Sequence, residues 1–339
     1  MIKDNQSPLV SIIIPTYNQQ ENFLRECIES AIAQTYENIE IVISDNHSTN
    51  NASEILDEYV VKDKRIRVVR PPVFLNIAES FLFVFTQAVG KYSCYISSDD
   101  VLIPLCVEIL VKKMEENDDV AFSHGKAIYF ESDNKFTVRW EYFNDVNGVY
   151  GLNKEAVERM LSFEYVCFGG CMVRNSVWNK IINETKKEHL TVNYSLDILL
   201  VMLLFEKGNV YYHNDVLAKV RMENETRNSR LPFLIKDAAT IWNFLDTDKA
   251  IVAKILQNNI DIQQYKKRHF IVLYKNLFYE TSQGYLDLDK FKMALENLKL
   301  FKLQPPLLFS IFTWMIINFP KLSFKLYGNI RKIRNFRKS

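Results

Sequence analysis

The sequence predicts an α/β fold, a mostly parallel central sheet with helices on both faces, followed by a mainly helical C-terminal extension. Three observations carry that expectation. Apolar, β-branched runs alternate with helically spaced segments over residues 9–100, several of those runs end in polar or acidic residues, and residues 234–300 keep helical spacing without a proline. A β-α-β-α-β-α-β order calls for right-handed crossovers, and it puts ligands beyond the C-terminal ends of the strands.

Residues 9–14 form an apolar run closed by Pro15, the pattern of a buried parallel strand, and Thr16, Tyr17 and Asn18 follow as a loop. Over 22–34, Phe23, Leu24, Cys27, Ile28, Ala31 and Ile32 recur at helical spacing. Residues 39–44 make a second strand ending at Asp45. A helix over 53–61, a short strand over 66–70 and a helix over 78–89 stopped by Gly90 come next. Residues 92–100 then run from strand-forming aromatic and β-branched residues into Ser97, Ser98, Asp99 and Asp100. Two adjacent carboxylates repel unless donors or a cation offset the repulsion. A divalent metal meets that need, and an Asp-rich turn is the plainer alternative.

Beyond the acids, the pattern predicts a helix over 104–116, a strand over 120–130 and a mobile loop region over 133–151. Gly169 and Gly170 lead into an apolar strand, which suits close approach of a ligand or of another backbone. A helix over 193–205 has Asp197 in its first turn, beside the positive helix end, and a strand covers 209–221. Between Pro306 and Pro320 the chain is apolar and aromatic, and Lys321, Lys325, Arg331, Lys332, Arg334, Arg337 and Lys338 follow with no acid among them. That apolar run falls short of the roughly 20 residues a spanning helix needs. Its pairing with basic residues suits an anionic membrane surface; a packed helix followed by a solvated basic tail is the alternative.

At 339 residues and 48% hydrophobic content the chain has material for a large core, and a formal charge of +1 argues against bulk capture of nucleic acid. Five cysteines, with no Cys-x-x-Cys pair, argue against a disulfide framework or a zinc site and fit a reducing cytosol. Residues 1–8 lack the apolar core of a signal peptide, so the expected location is cytoplasmic, peripheral on the inner face of the membrane.

These residues, taken together, resemble the family 2 glycosyltransferases, whose catalytic domain has the Rossmann-like GT-A fold. The matching stretches are 10–18, 34–36, 41–46 with Ser48 and Thr49, Asn76, 90–92 and 98–100. The likeness thins over 169–221, and beyond about 235 it is a general likeness to bacterial O-antigen and capsule sugar transferases. It implies a catalytic domain over 1–230, with a nucleotide-sugar half over about 1–120 and an acceptor half over about 121–230. A helical extension over 231–300 and an apolar, basic segment over 301–339 complete the division.

The resemblance also implies roles. Pro15, Thr16, Tyr17 and Asn18 lie against the nucleotide, Asp45 accepts from its base, and Asn76 sits near the diphosphate or ribose. Ser98 and Asp99 approach the ribose or sugar, and Asp100 with Asp99 holds Mg2+ or Mn2+. Ser97 stands where many relatives carry an acid. Asp197 matches the general base of a Glu-Asp pair, with Leu196 in place of the Glu; Glu164 and Glu188 lack that pattern. Arg221 meets a phosphate or pairs at the surface, and Gly169 and Gly170 shape the acceptor floor or relieve crowding. His213 is a further metal ligand or an ordinary strand-end histidine. The implied activity is inverting transfer of a hexosyl or deoxyhexosyl group from a nucleotide-sugar to a glycan acceptor, polyprenol-linked, in O-antigen or capsule assembly. A sugar nucleotidyltransferase is one alternative, disfavoured because residues 15–20 hold neither Gly nor a basic residue. A non-catalytic membrane-surface scaffold is the other.

Overall fold

Val10–Thr16 (β1) is buried on both faces, which is why it reads as a continuous apolar run and not as an alternation. It pairs in parallel with Ile39–Asp45 (β2), in a register that sets Thr16 opposite Asp45. Between them Glu21–Ile32 (α1) buries Leu24, Cys27, Ile28 and Ala31. Ala52–Lys62 (α2) and Ile66–Val69 (β3) follow, and β3 extends the parallel sheet beyond β2. Ile77–Thr86 (α3) leads to Tyr92–Tyr95 (β4), parallel to β1 on its other side. Gly90 is not the helix stop the sequence suggests. It lies against β1, where a Cβ would come within 2.7 Å of the Leu9 carbonyl oxygen.

The computed structural model describes residues 7–130, 136–138, 146–161, 168–184, 196–221, 231–282 and 286–318. Glu164, Cys167, Glu188 and the basic residues from Lys321 onward lie outside the described residues. The described residues fall into two compact units, drawn from Met1–Met160 with Tyr165–Met222 and from Leu161–Glu164 with Glu223–Ser339.

The first unit continues with Val101–Leu102 (β5), Cys106–Glu116 (α4), Val120–Phe130 (β6), Phe136–Val138 (β7) and Gly148–Tyr150 (β8). Lys154–Leu161 (α5), Cys171–Arg174 (β9), Asn175–Glu184 (α6), Leu196–Lys207 (α7) and Asn209–Arg221 (β10) come after. Strand order is β3-β2-β1-β4-β9-β6-β10-β5, with β7 on β6 and β8 on β10. The early strands and the β6–β10 pair are parallel; β9 enters antiparallel between β4 and β6, and β5, β7 and β8 add antiparallel edges. The expected loop over 133–151 thus contains two strands, each too short to display a period of two.

Alternation along the strands divides the core. Ile12, Ile14, Ile41, Ile43 and Cys94 pack with residues of α1, α2 and α4. The neighbour of Cys94, Tyr95, faces the other way, into an aromatic cluster of Phe81 and Phe85 from α3, Phe168, and Trp178 from α6.

In the second unit the described helices are Leu231–Thr247 (α8), Lys249–Leu256 (α9), Ile262–Ser282 (α10), Leu288–Lys299 (α11) and Leu307–Asn318 (α12). Trp242 is fully buried and its indole N–H donates to His269 Nδ1 at 3.0 Å, while burial holds the His269 pKa down to about 4. α12 contains no charged residue. It buries only Phe312 and Ile316, leaving Leu307, Leu308, Ile311, Trp314 and Ile317 exposed. No helix among the described residues is long and apolar enough to cross a membrane.

Candidate functional site

The ends of β1, β2 and β4 lie side by side because those strands are neighbours in parallel register, and their loops tie to one another through side chains. Asn18 takes a left-handed backbone (φ 48°), which an asparagine tolerates. Its N–H donates to Ser48 Oγ at 2.9 Å, and its Oδ1 accepts from the Thr49 N–H at 2.6 Å. Gln19 Nε2 donates to Ser98 Oγ at 3.2 Å, joining the β1 loop to the acid loop. Tyr17 is half exposed and meets Phe74 edge to face at 5.1 Å. Pro15 and Thr16 belong to β1, and among the described residues the buried Thr16 Oγ1 has no hydrogen-bond partner.

Asp45 is buried at the end of β2. Its Oδ1 accepts from the Ser48 N–H at 2.9 Å, and its Oδ2 from Ser53 Oγ at 3.0 Å and Arg70 Nε at 3.1 Å. Burial pushes its pKa up, but the hydrogen bonds from Ser48 and Ser53 and the Arg70 charge outweigh burial and leave the carboxyl below its ordinary range. Arg70, half exposed, is a residue that sequence reasoning missed. Just after β3 it reads as a solvated cation; only the β2–β3 pairing reveals its partner. Asn76 caps α3: its Oδ1 accepts from the Glu79 N–H and its own N–H donates to the Glu79 carboxylate. Beside it, Asn46 clasps the Leu75 backbone through both side-chain atoms, which holds this helix start against the end of β2.

The acid loop joins β4 to β5. The Asp100 N–H donates to the Ser97 carbonyl at 3.0 Å, and Cys27 Sγ donates to the same oxygen from below at 3.3 Å. Asp100 is 4% exposed. Burial and the charge of Asp99 push its pKa well above the usual carboxylate range, against the opposing pull of the Arg221 N–H, the Arg221 charge and the Ser97 hydroxyl. A buried carboxylate with a second acid as its neighbour fits a hard divalent cation. No group of three His, Cys, Asp or Glu among the described residues forms a cage for one.

Arg221 arrives from the end of β10. Its backbone N–H donates to Asp100 Oδ1 at 2.9 Å, its Nε to the Asp99 carbonyl at 3.1 Å, and its Nη2 to Glu26 of α1. The guanidinium lies between the rings of Phe23 and Phe130, 3.9 and 4.4 Å from their centroids. Gly170 (φ 75°) donates its N–H to the Tyr95 carbonyl at 2.8 Å, and a Cβ there would come within 2.9 Å of Ala218 Cβ, so crowding and backbone conformation both require glycine. Gly169 precedes it in the same turn.

Asp197 lies in the first turn of α7, where its Oδ1 accepts from the Ile198 N–H at 2.9 Å. Burial raises the pKa of the Tyr95 hydroxyl, a hydrogen bond with Ser97 lowers it, and the charges of Asp100, Asp99 and Asp197 raise it further. The charge of Asp197 thus acts on the same hydroxyl as the charges of the two loop acids. His213 does not join them. It bonds Tyr211 and Asp215 far back on β10, roughly 25 Å from Arg221 at about 3.3 Å per strand residue.

The sequence profile described as Glycosyl transferase family 2 matches residues 11–182. Glycosyltransferase GlyG of Streptococcus pneumoniae serotype 4 is 34% identical over 130 residues, covering 38% of this chain and 43% of that protein. An uncharacterized glycosyltransferase of Methanocaldococcus jannaschii is 35% identical over 149 residues, 44% of this chain and 47% of that protein. The chain thus spans under half the length of these curated relatives. Among solved structures, Staphylococcus aureus TarS 1-349 in complex with UDP superposes with a TM-score of 0.58 at 16% identity, over 86% of this chain and 79% of that one. The same protein in complex with UDP-GlcNAc gives 0.59 at 15% identity, over 86% and 80%. At that identity the likeness speaks for the fold alone.

Proposed function

The chain belongs to glycosyl transferase family 2, and on that premise we propose that it moves a sugar from a nucleotide-sugar donor to a glycan acceptor with inversion at the anomeric carbon. The observation that supports this reading is the pair of acid-bearing strand ends on either side of β1, Asp45 at the end of β2 and Asp99 with Asp100 after β4; Asp197 in the first turn of α7 is assigned the remaining acid's role. Each has a different task. Asp45 anchors Arg70, and the pair addresses the edge of the base while the Tyr17 ring covers its face. Pro15, Thr16 and Asn18 carry the nucleotide loop, and Asn76 fixes the start of α3 beside it. Ser98 and Asp99 face the ribose and sugar.

Asp100 and Asp99 would hold Mg2+ or Mn2+, which would supply Lewis-acid stabilisation of the departing diphosphate. Asp197 takes the proton from the attacking acceptor hydroxyl, on the face opposite the leaving group. Gly169 and Gly170 form the floor beneath the acceptor, so the donor half lies in about residues 1–120 and the acceptor half in about 121–230. That TarS, of similar fold, is described with UDP and UDP-GlcNAc supports a uridine diphosphate donor as the first to test.

The acceptor is a polyprenol-linked glycan of bacterial surface polysaccharide, met at the inner face of the membrane. The charge-free α12 with its exposed apolar side chains, followed in sequence by basic residues, supports attachment there. The test is nucleotide release from UDP-, GDP- and dTDP-sugars with membranes bearing lipid-linked glycan. Asp197→Ala should keep donor affinity and lose transfer by a factor of about 10²–10⁴. Near-normal transfer by that variant overturns the assignment of the base.

A further inference from the structure

We propose that Glu26 and Arg221 are positioning residues that hold the two loop acids in the orientation a divalent cation requires. The inference rests on the donor-site reading above and adds to it a pair of residues that touches neither donor nor acceptor.

The peptide unit joining Asp99 to Asp100 is gripped from both sides. Its carbonyl oxygen accepts from Arg221 Nε at 3.1 Å, and its N–H donates to the Ser97 carbonyl at 3.0 Å. The Arg221 backbone N–H also fixes one oxygen of the Asp100 carboxylate at 2.9 Å. Rotation of that peptide plane is what would swing the two carboxylates apart, and these bonds oppose it. Arg221 is itself immobilised. Its side chain is 4% exposed, stacked between Phe23 and Phe130, and its remaining fork engages Glu26 of α1.

Glu26 has a second effect, through charge. An unpaired guanidinium this close to Asp100 would act as a resident counter-cation and compete with a metal for the acids. The Glu26 carboxylate draws that charge to the α1 side, and at 51% side-chain exposure Glu26 itself incurs little desolvation. The arrangement spends the arginine on geometry and leaves the negative charge of the loop for the cation. With Nε and Nη2 engaged by Asp99 and Glu26 and the side chain 4% exposed, Arg221 acts on the diphosphate through the loop it holds.

The experiment measures Mn2+ binding directly, by the free-ion electron paramagnetic resonance signal, on the full chain with UDP present and no acceptor. Replacing groups that orient metal ligands weakens metal affinity about 10–100-fold, and that is the loss expected for Glu26→Gln and for Arg221→Lys. Excess Mn2+ should restore kcat in Glu26→Gln, a split that general loss of structure does not produce. Glutamine at Glu26 keeps an acceptor for the Arg221 fork, so the metal-free protein should still unfold in one cooperative transition and this variant decides the matter even if Arg221→Lys folds poorly. Mn2+ affinity in Glu26→Gln equal to that of wild type overturns the positioning role alone. Wild-type protein that binds no Mn2+ with any nucleoside diphosphate overturns the donor-site reading as well.

Discussion

Placing glutamate at Leu307, Ile311 and Trp314 removes apolar area from the exposed face of α12 and spares Phe309, Phe312 and Ile316, which pack against the unit. The three side chains are 78%, 46% and 60% exposed. Scaling a full-burial value of about 1.5–3 kcal/mol per large apolar side chain by those exposures gives roughly 3–5 kcal/mol of lost insertion energy. At about 1.4 kcal/mol per decade, membrane partitioning should fall by about two to three and a half powers of ten. Repulsion between the new carboxylates and anionic headgroups adds to the loss. The assay is sedimentation with phosphatidylcholine vesicles containing or lacking phosphatidylglycerol, at low and high salt, with the melting temperature as a control for folding. Wild-type protein should pellet with the anionic vesicles and the triple variant should stay in the supernatant. A triple variant that pellets as the wild type does would refute attachment through this face.

Three further outcomes are expected. The folded-state pKa of Asp100 is raised, so its contribution to stability is complete below the unfolded carboxylate pKa and is lost as pH rises through the folded value. Asp100→Asn should therefore melt higher than wild type at neutral pH without metal, with a flatter dependence of melting temperature on pH, while losing metal-stimulated turnover; an unchanged pH dependence refutes the burial argument. Gly170→Ala combines a left-handed backbone, about 1–2 kcal/mol, with overpacking against Ala218, about 1–3 kcal/mol. Denaturant unfolding should register a loss of roughly 2–5 kcal/mol, and a midpoint within error of wild type contradicts the geometry. Arg70→Ala removes a charge-assisted donor of about 1.5–3 kcal/mol beside Asp45, so nucleoside diphosphate affinity should drop about tenfold or more in calorimetry. Unaltered affinity would remove Arg70 from the base site.

What was legible in the sequence is what burial writes locally. β1 and β2 are covered on both faces, so their apolar runs are unbroken and their polar ends stand out, and Asp45, Asp99 and Asp100 are found at those ends. α7 buries nearly its whole circumference and was visible as an apolar segment behind Asp197. Strand order was not legible. Nothing in the local pattern of Cys171–Arg174 says that it enters antiparallel between β4 and β6, and two- or three-residue strands such as β5 and β8 have no period to detect. Partners remote in sequence were hidden for the same reason. Glu26 reads as one more exposed helix acid until β10 brings Arg221 beside it, and the Gly90 spacing that suggests a helix end reflects contact with β1.

Four thiols, Cys27, Cys94, Cys106 and Cys171, lie buried in the first unit, and one of them touches the underside of the acid loop. Burial, together with the negative charges of Asp100 and Asp99, raises the pKa of Cys27, and Cys106 is raised by its neighbour Cys94 and by burial. Neither Cys27 nor Cys106 is then a reactive thiolate while the fold is closed, and Cys94 and Cys171 are shielded by burial. Alkylation in native buffer must wait for a fluctuation that lifts the sheet from its helices, so the labelling rate of Cys27 is a stopwatch for breathing beneath the loop. If nucleotide and cation clamp that loop, they should slow the stopwatch before any sugar is transferred.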